Sequence, residues 1–223
     1  MVIQPGPDLL AWERQLWEGG YLRVAGVDEV GRGALAGPLV AAAVILPQSA
    51  LASTARKFGW SAVRDSKTLS HSRRSFLAKW ILDQGTMASI AEVSCAELDT
   101  IGVAAANRLA MERAVLGLME DADMLLIDAM TIDLDTPQIG IIDGDAQSLS
   151  IAAASIIAKV HRDGLMVDLD RIYPAYGFAR HKGYGVPAHL AALANHGPCT
   201  HHRHSFGPVR LAAMTHGNDQ AIN

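Results

Sequence analysis

The sequence predicts an α/β fold, in which helices pack on a mixed β-sheet. Two apolar runs, at 21–27 and 39–46, follow one another with no helical pattern between them, as consecutive strands do. Helical and strand-like patterns then alternate along the chain, which is typical of layered α/β domains. Half of the 223 residues are hydrophobic and 19% are charged, so the composition is that of a globular chain rather than a disordered one.

Each predicted element follows from a hydrophobic pattern and, at some ends, a stop signal. The strands are short apolar or alternating runs, at 21–27, 39–46, 87–93, 124–127 and 139–142. The helices have amphipathic or alanine-rich spacing, at 8–18, 72–84, 103–119, 148–160, 162–172 and 187–195. Pro47 ends the second strand, and Gly85 ends the helix before the third.

Cysteine usage and hydropathy indicate a soluble cytoplasmic protein. The two cysteines, Cys95 and Cys199, are far apart and form no disulfide framework. The N-terminus lacks the basic and apolar regions of a signal peptide. No window reaches the roughly 18 consecutive apolar residues that a membrane span needs. We therefore expect a cytoplasmic protein without a membrane segment.

The charges are unevenly distributed, although the formal net charge is only −4. No lysine or arginine lies between Arg113 and Lys159, where eight acidic residues occur. From Lys159 to Arg210, seven lysines and arginines against three acidic residues give a net charge of +4. An acidic middle is thus followed by a basic span, and basic spans are typical of nucleic-acid binding.

Four carboxylates lie at or just after the ends of predicted strands. Asp28 and Glu29 directly follow the first strand, Asp128 directly follows the fourth, and Asp145 comes shortly after the fifth. Ligands in open α/β sheets collect at strand ends. Four carboxylates there would repel one another unless cations such as Mg²⁺ or Mn²⁺ lay between them. Two such ions, about 3.5–4 Å apart, would serve phosphoryl chemistry.

Other acidic residues have a simpler interpretation. An isolated aspartate after a strand is usually a turn or cap residue, which we expect of Asp133 and Asp135, while Asp143 stays ambiguous. The adjacent pair of carboxylates is different, because neighbours in a strand point to opposite faces. Both can serve one site only where the strand ends and bends, and Gly31 would allow that bend.

The segment Gly31-Arg32-Gly33 has two interpretations. With Gly37 it has the spacing GxGxxxG, which loosely resembles a dinucleotide-binding loop. However, the acids before it would repel a pyrophosphate, and a strand is predicted after it where such a loop would open a helix. The favoured interpretation is a loop that nucleic acid approaches closely, with backbone groups on the sugar–phosphate and Arg32 on a phosphate.

Six segments, taken in order, carry a recognisable pattern. They are AGVDEVGRGALAGPLVAAAVIL at 25–46, DSKTLS at 65–70, LLIDA at 125–129, GDAQSLSIAAASIIAKVHRD at 144–163, YPAYGFARHKGYG at 173–185 and HHRHSFGPV at 201–209. The chain resembles the type 2 ribonucleases H (ribonuclease HII) over about residues 22–210. The resemblance implies a ribonuclease H-like mixed sheet flanked by helices. It also implies a catalytic domain at 20–172 and a C-terminal helical substrate-binding extension at 173–212. The last residues, 213–223, are expected from their own sequence to form a disordered tail.

The resemblance implies a metal-dependent endoribonuclease. Such an enzyme hydrolyses the RNA strand of RNA–DNA hybrids and nicks 5′ of single ribonucleotides in duplex DNA, leaving a 3′-hydroxyl and a 5′-phosphate. Two ions, Mn²⁺ or Mg²⁺, would be held by Asp28, Glu29, Asp128 and Asp145. The substrate-binding residues implied are Gly31, Arg32, Gly33, Ser66, Lys67 and Tyr184. Tyr184 would lie against the ribonucleotide's sugar, because the 2′-hydroxyl distinguishes RNA from DNA.

Some residues depart from the family pattern or have alternative roles. Family members commonly have glycine where Ala129 stands. Arg203 is one of the charges that alternate with aromatic residues, as in surfaces that bind nucleic acid. Lys159 and Arg162 are expected instead to brace their helix against neighbouring acids. The run CTHHRH at 199–204 could suggest zinc, but its spacing matches no standard ligand set.

Three functions can be compared at this point. A metal-dependent, ribonucleotide-directed endonuclease is the leading hypothesis. A nicotinamide-linked oxidoreductase rests only on the glycine loop, and a nucleic-acid-binding module without catalysis would not need carboxylates at three strand ends. We expect a monomer that acts on RNA–DNA hybrids and ribonucleotide-containing duplex DNA, and we leave a replication-associated partner open.

Overall fold

The computed structural model describes residues 8–48, 59–63 and 69–219. Its five strands are β1 (Val24–Val30), β2 (Leu39–Ile45), β3 (Met87–Val93), β4 (Met124–Asp128) and β5 (Gln138–Ile141). The eight α-helices of the described residues are α1 (Ala11–Glu18), α2 (His71–Asp83), α3 (Cys95–Ile101), α4 (Val103–Leu116), α5 (Leu149–Ile172), α6 (Phe178–His181), α7 (Pro187–His196) and α8 (Gly207–Asp219). A 3₁₀ turn, Gly144–Ala146, precedes α5.

The strands form one mixed sheet in the order β3-β2-β1-β4-β5, which confirms the predicted fold class. β1 and β3 pair antiparallel with β2, while β4 pairs parallel with β1 and with β5. The parallel ladder of β1 with β4 ends at the pair Val27–Ile127, whereas its antiparallel ladder with β2 continues to Val30–Val40. β1 therefore extends past its ladder with β4, at the edge of the sheet where its acidic residues lie.

Helices cover both faces of the sheet, and the alternation along β2 shows how. Its odd-numbered residues, from Leu39 to Ile45, pack in the core shared with α4. Its even-numbered residues, from Val40 to Val44, pack in the core shared with α2 and α5. All seven residues of β2 are buried, as expected of a strand covered on both sides.

α5 is one continuous helix of 24 residues, although the sequence predicts two helices, at 148–160 and 162–172. The predicted break was wrong because no helix-stopping residue separates the two parts. The pattern changes there because the alanine-rich first half packs in the core against the sheet, whereas Met166 and Leu169 of the second half pack with the C-terminal residues. The start of the helix is held by Glu13 of α1, whose Oε1 accepts hydrogen bonds from the hydroxyls of Ser148 at 2.6 Å and Ser150 at 2.7 Å.

β1 is displaced from its predicted range of 21–27, so Asp28 and Glu29 lie inside the strand rather than after it. The prediction was wrong because the antiparallel ladder with β2 continues past the two acids, pairing Asp28 with Ala42 and Glu29 with Ala41. The apolar run alone could not reveal this, because a strand that is paired on one side can contain charged residues that face a site.

The C-terminal helices α6, α7 and α8 pack on the loop between β1 and β2 and on the second half of α5. Ala36 of that loop and Met166 of α5 share an apolar cluster with Phe178. α8 continues to Asp219, into the range 213–223 for which the sequence predicts disorder. The division of the chain into a catalytic domain and an extension stays a prediction. Within the described residues, no helix has both the length and the apolar character needed to cross a membrane.

Candidate active site

Three of the predicted carboxylates converge at one edge of the sheet. Asp28 and Glu29 belong to β1, and Asp128 is the last residue of β4. Each side chain offers one oxygen, and these three oxygens all lie within 4.8 Å of one another. The parallel pairing of β1 with β4 brings the acids together, because the ladder ends immediately before Asp28 and Asp128.

The adjacent carboxylates reach this cluster from opposite faces of the sheet. The side chain of Ser155 on α5 acts on Asp28 and lowers its pKa, and the side chain of Asn107 on α4 acts in the same direction on the pKa of Glu29. α5 and α4 cover different faces, so neighbours in the strand have supports on different sides. Because β1 extends past its ladder with β4, both side chains can turn toward Asp128.

Burial and mutual repulsion disfavour the ionised carboxylates. Burial raises the pKa of Asp28 well above its ordinary value, and the charges of Glu29 and Asp128 raise it further. Burial also raises the pKa of Glu29, with the charge of Asp128 adding to the rise and that of Arg32 opposing it. Positive charge placed among the three oxygens would lower both pKa values and remove the repulsion.

The donor set fits a hard divalent cation. All three ligands are carboxylate oxygens, which Mg²⁺ and Mn²⁺ prefer to nitrogen or sulfur. The Oε2 atom of Glu29 is buried and has no hydrogen-bond donor among the described residues. A buried polar atom without a partner costs about 1–3 kcal/mol, so this oxygen is available to a metal ion.

Asp145 is placed differently from the other three carboxylates. It lies in the 3₁₀ turn and is buried, but it is outside the group whose oxygens converge. The turn contacts the cluster through its backbone, because the amide of Gly144 donates a 2.6 Å hydrogen bond to Oδ1 of Asp128. The role of Asp145 as a fourth ligand stays a prediction.

A cavity of about 320 Å³ connects the carboxylates with the glycine loop. It is lined by acidic, basic and polar groups from several elements: Asp28, Glu29, Val30, Gly31, Arg32, Gly33, Arg74, Asp128, Ser155, Lys159 and Tyr184. The structure therefore brings the glycine loop and Tyr184 to the carboxylates. It also adds Arg74 and Lys159, which the sequence analysis did not place there. Lys159 Nζ forms a 2.7 Å ion pair with Asp163, so it braces α5 as expected while it faces the cavity.

The two glycines of the loop have different structural roles. Gly31 has a φ of +90°, and a Cβ there would collide with the guanidinium of Arg162. At Gly33 a Cβ would meet no atom within 4 Å, so its missing side chain is not needed for packing and leaves room in the cavity. The loop leads into β2 rather than into a helix, as the sequence predicts, which argues against a dinucleotide site.

Two fully buried arginines hold the walls of the cavity, and the sequence analysis missed this role. Arg162 donates to the carbonyls of Pro38 at 2.9 Å, Lys182 at 3.0 Å and Ala36 at 3.1 Å. The expectation that Arg162 pairs with acids on its helix was wrong, because the guanidinium crosses to the glycine-loop side instead. Its Cζ atom also lies 5.5 Å from the ring centre of Tyr184.

Arg203 has a similar role on the other side of the same loop. Its Nη1 donates to the carbonyl of Arg32 at 3.0 Å, and its Nε and Nη2 donate to the carbonyl of Gly37 at 3.1 and 2.9 Å. The side chain is fully buried, so the interpretation of Arg203 as a phosphate-binding surface charge was wrong. Alternation with aromatic residues could not distinguish a surface arginine from one that hydrogen-bonds to carbonyls inside the fold.

The remaining predictions concern Ser66, Lys67 and the CTHHRH run. Ser66 and Lys67 lie outside the described residues, so their substrate contacts stay predictions. In the run at 199–204, Nδ1 of His202 accepts a hydrogen bond from the amide of Cys199 at 3.0 Å. Among the described residues, the group whose ligand atoms converge as a metal site requires is the carboxylate cluster, not this run.

The mixed sheet, with carboxylates at one edge beside a cavity lined by acidic and basic side chains, defines a metal-dependent nuclease of the ribonuclease H-like fold. The sequence model of the family described as Ribonuclease HII matches residues 25–209. The chain therefore belongs to the ribonuclease HII family, whose members cleave the RNA of RNA–DNA hybrids.

A similar sequence supports the family, and two similar structures support the fold. A ribonuclease HII of Desulfitobacterium hafniense (strain DSM 10664 / DCB-2) is 51% identical over 203 residues, which cover 91% of this chain and 75% of the relative. The ribonuclease H2 of Pyrococcus horikoshii OT3 has a similar structure, with a TM-score of 0.73 and 23% identity, over 87% of this chain and 98% of that one. The structure of Bst-RNase HIII in complex with Mn²⁺ is similar in fold, with a TM-score of 0.71 and 20% identity, over 87% of this chain and 70% of that one.

Proposed function

We propose that this protein nicks duplex DNA on the 5′ side of a single embedded ribonucleotide, besides cleaving the RNA strand of RNA–DNA hybrids. The products would carry a 3′-hydroxyl and a 5′-phosphate. One observation carries the proposal: the carboxylate cluster, the glycine loop and Tyr184 line the same cavity. A single ribonucleotide can be recognised in such a place, because the groups that read its sugar lie beside those that serve the scissile phosphate.

We further propose that two divalent ions, Mn²⁺ or Mg²⁺, occupy the site. Asp28, Glu29 and Asp128 would hold them, with Asp145 as a fourth ligand. The convergence of three carboxylate oxygens and the Mn²⁺ complex of a protein with a similar fold support this. When bound, such ions activate the attacking water and stabilise the leaving 3′-oxygen. The hydrogen bond from the Gly144 amide orients Asp128 for this purpose, and the Ser155 side chain favours the ionised form of Asp28.

The glycine loop and Tyr184 would read the ribonucleotide. Gly33 leaves space for a sugar against the backbone, and Tyr184 would pack on the sugar and sense the 2′-hydroxyl. Arg32 is exposed beside the carboxylates and would bind a phosphate. Ser66 and Lys67 would contact the phosphates of the DNA strand. We propose that the enzyme acts as a cytoplasmic monomer.

The test uses four duplexes of one sequence: all DNA, DNA with one ribonucleotide, DNA with four ribonucleotides, and an RNA–DNA hybrid. With Mn²⁺ or Mg²⁺ we expect cleavage of the last three, a single nick in the second, and 3′-hydroxyl and 5′-phosphate ends by mass spectrometry. A folded protein that cleaves the hybrid but leaves the single ribonucleotide intact would contradict the proposal. Asp128→Asn should abolish cleavage, and the exposed loop substitution Asp133→Asn is the matched control.

A further inference from the structure

A chain of hydrogen bonds runs through two buried histidines beneath the Tyr184 segment. The amide of Cys199 lies 3.0 Å from Nδ1 of His202. Nε2 of His202 lies 3.1 Å from Nε2 of His189, and Nδ1 of His189 lies 3.0 Å from the carbonyl oxygen of Tyr184. Both rings are fully buried, and nothing in the nuclease chemistry described above uses them.

The two ends of this hydrogen-bond chain determine which ring nitrogens carry the protons. A backbone amide only donates, so Nδ1 of His202 accepts and its proton lies on Nε2. A carbonyl only accepts, so Nδ1 of His189 donates and its Nε2 is left to accept. The Nε2–H of His202 therefore donates to Nε2 of His189. Each ring is neutral and has one defined tautomer, and an added proton on His189 would face the N–H of His202.

The hydrogen-bond chain through His202 and His189 connects the glycine-loop side of the cavity to the Tyr184 segment. His202 forms a β-bridge with Ala36, next to Gly37, whose carbonyl Arg203 holds. At the other end, the Tyr184 carbonyl also accepts a 2.8 Å hydrogen bond from the amide of Val186. The histidines thus hold one backbone group of Tyr184 from a segment that is itself anchored to the loop.

The surroundings of the two rings favour their neutral forms. Burial lowers the pKa of His189, and burial together with the charge of His189 lowers the pKa of His202 to about 4. The titratable groups that face them are His181, stacked 4.4 Å from His189, the ring of Tyr176 at 4.8 Å from His202, and the Cys199 thiol. His201 and His204 add positive potential near His202 when they are charged.

We propose that His189 and His202 are positioning residues for ribonucleotide recognition: as neutral rings of fixed tautomer they hold Tyr184 against the sugar. A second proton would set Nε2–H of His189 against Nε2–H of His202, or Nδ1–H of His202 against the amide of Cys199, and the broken link would loosen that hold. The inference deepens the proposed function, because it rests on the role of Tyr184 in reading the ribonucleotide. It adds a dependence on acid that belongs to recognition and is separate from the ionisation of the carboxylates.

The first experiment tests the hydrogen-bond chain without any substrate. Long-range ¹H–¹⁵N correlation spectra of the full chain labelled with ¹⁵N-histidine should show His189 as the Nδ1–H tautomer and His202 as the Nε2–H tautomer at pH 7.5. Both signals should keep these tautomers at neutral pH, and the His202 signal should change only as the pH approaches its pKa of about 4. The opposite tautomer at either ring, or a charged ring at neutral pH, would overturn the proposal.

The second experiment measures recognition by affinity rather than turnover. Fluorescence anisotropy in a chelator gives the Kd for a one-ribonucleotide duplex relative to the all-DNA duplex. His189→Leu should reduce this preference about fivefold to thirtyfold, as expected for loss of a positioning hydrogen bond. His189→Asn should restore most of it, because an amide can occupy the place of Nδ1 and donate to the Tyr184 carbonyl. His196→Leu, an exposed change on the same helix, should have no effect.

The outcomes separate this inference from the proposed function. If the wild type nicks the ribonucleotide duplex and His189→Leu, shown to be folded by its melting transition, keeps the full preference, the positioning role is wrong. If the wild type does not nick that duplex, the proposed function fails, whatever tautomers the spectra show. Where His189→Leu does not fold, the wild-type preference decides instead. This preference should fall at acid pH in parallel with the change in the histidine signals. A preference that stays constant while the histidines become charged would contradict the proposal.

Discussion

The carboxylate cluster and the Tyr184 segment face the same cavity, but they are built in opposite ways. The cluster gathers three acidic side chains, with raised pKa values at two of them and a buried oxygen that has no donor among the described residues. In the Tyr184 segment, three consecutive carbonyls, those of Lys182, Gly183 and Tyr184, each accept a hydrogen bond from Arg162, Leu35 or His189. The carboxylate cluster needs positive charge to relieve its repulsion, whereas the carbonyls of the Tyr184 segment already have their hydrogen-bond donors within the protein.

This difference suggests a division of labour between the two regions. A site that must attract cations gains from repulsion among its ligands, because bound positive charge relieves that repulsion. A site that must distinguish one sugar from another gains from rigidity, because a wall that does not adapt rejects the wrong shape. Substitutions that remove the repulsion from the cluster, or the rigidity from the Tyr184 segment, test this comparison directly.

The largest effect is expected where a charge of the cluster is removed. Asp28→Asn should lower the cleavage rate at least about a hundredfold, because even the partners of metal ligands contribute tenfold to hundredfold. In a chelator, however, the same change should raise the free energy of unfolding by about 1 kcal/mol or more. Urea titrations with chelator, and with Mn²⁺ or Mg²⁺, measure both effects. A metal-free variant less stable than the wild type would contradict the account of the cluster.

The pH dependence of this stability difference has a definite sign. Because the pKa of Asp28 is higher in the folded than in the unfolded protein, ionisation destabilises the fold above the unfolded pKa of about 4. The advantage of Asp28→Asn in chelator should therefore vanish near pH 4 and grow as the pH rises. Parallel stability curves for the two proteins between pH 4 and neutral pH would not fit.

A smaller loss is expected when the rigid wall is weakened at Arg162. Arg162→Lys keeps the charge but cannot form the three hydrogen bonds of the guanidinium, and it should reduce the free energy of unfolding by about 3 kcal/mol. Arg171→Lys is the matched control on the same helix, because Arg171 is largely exposed and pairs with Asp168. Equal stability of the two variants by urea titration would show that the buried arginine does not hold the wall.

The smallest effects are expected in the glycine loop, where we expect Gly31 to contribute to folding stability and Gly33 to contribute to binding of the ribonucleotide. Gly31→Ala should reduce the free energy of unfolding by about 2 kcal/mol, because of the positive φ and the collision with Arg162. Gly33→Ala should change it by less than about 0.5 kcal/mol, yet weaken binding of a one-ribonucleotide duplex about tenfold. Thermal unfolding and anisotropy measure the pair. Similar effects of both changes on stability would contradict the distinction.

Much of the fold could be predicted from the sequence, because it depends on hydrophobic periods that a single chain displays. The alternation and apolar runs located all five strands, and the acids near the ends of two neighbouring strands predicted the cluster. The extension of β1 through Asp28 and Glu29 could not be predicted, because it depends on pairing with β2. Helix α3 was missed although Ser94 and Glu97 form a capping box, a signal that a search for helix starts could have found.

The walls of the site were harder to predict than its acids. The local sequence identifies a carboxylate near a strand end. Arg162 and Arg203, in contrast, donate to carbonyls far away in the chain, and sequence spacing does not show such contacts. Ala129 was noted only as a departure from the family pattern. In the structure it has a φ of +57°, so the residue after Asp128 adopts the left-handed conformation that glycine adopts more readily.

The continuous helix α5 gives the molecule a fixed measure. Its residues reach Asp28 through Ser155, face the cavity through Lys159, hold the loop through Arg162 and pack under the C-terminal part through Met166. Since an α-helix advances about 1.5 Å and turns about 100° per residue, the distances between these residues along the helix and the directions of their side chains are fixed. The helix thereby fixes the distance between the carboxylate cluster and the segment that we propose recognises the ribonucleotide. A single residue inserted into it would put the two out of step.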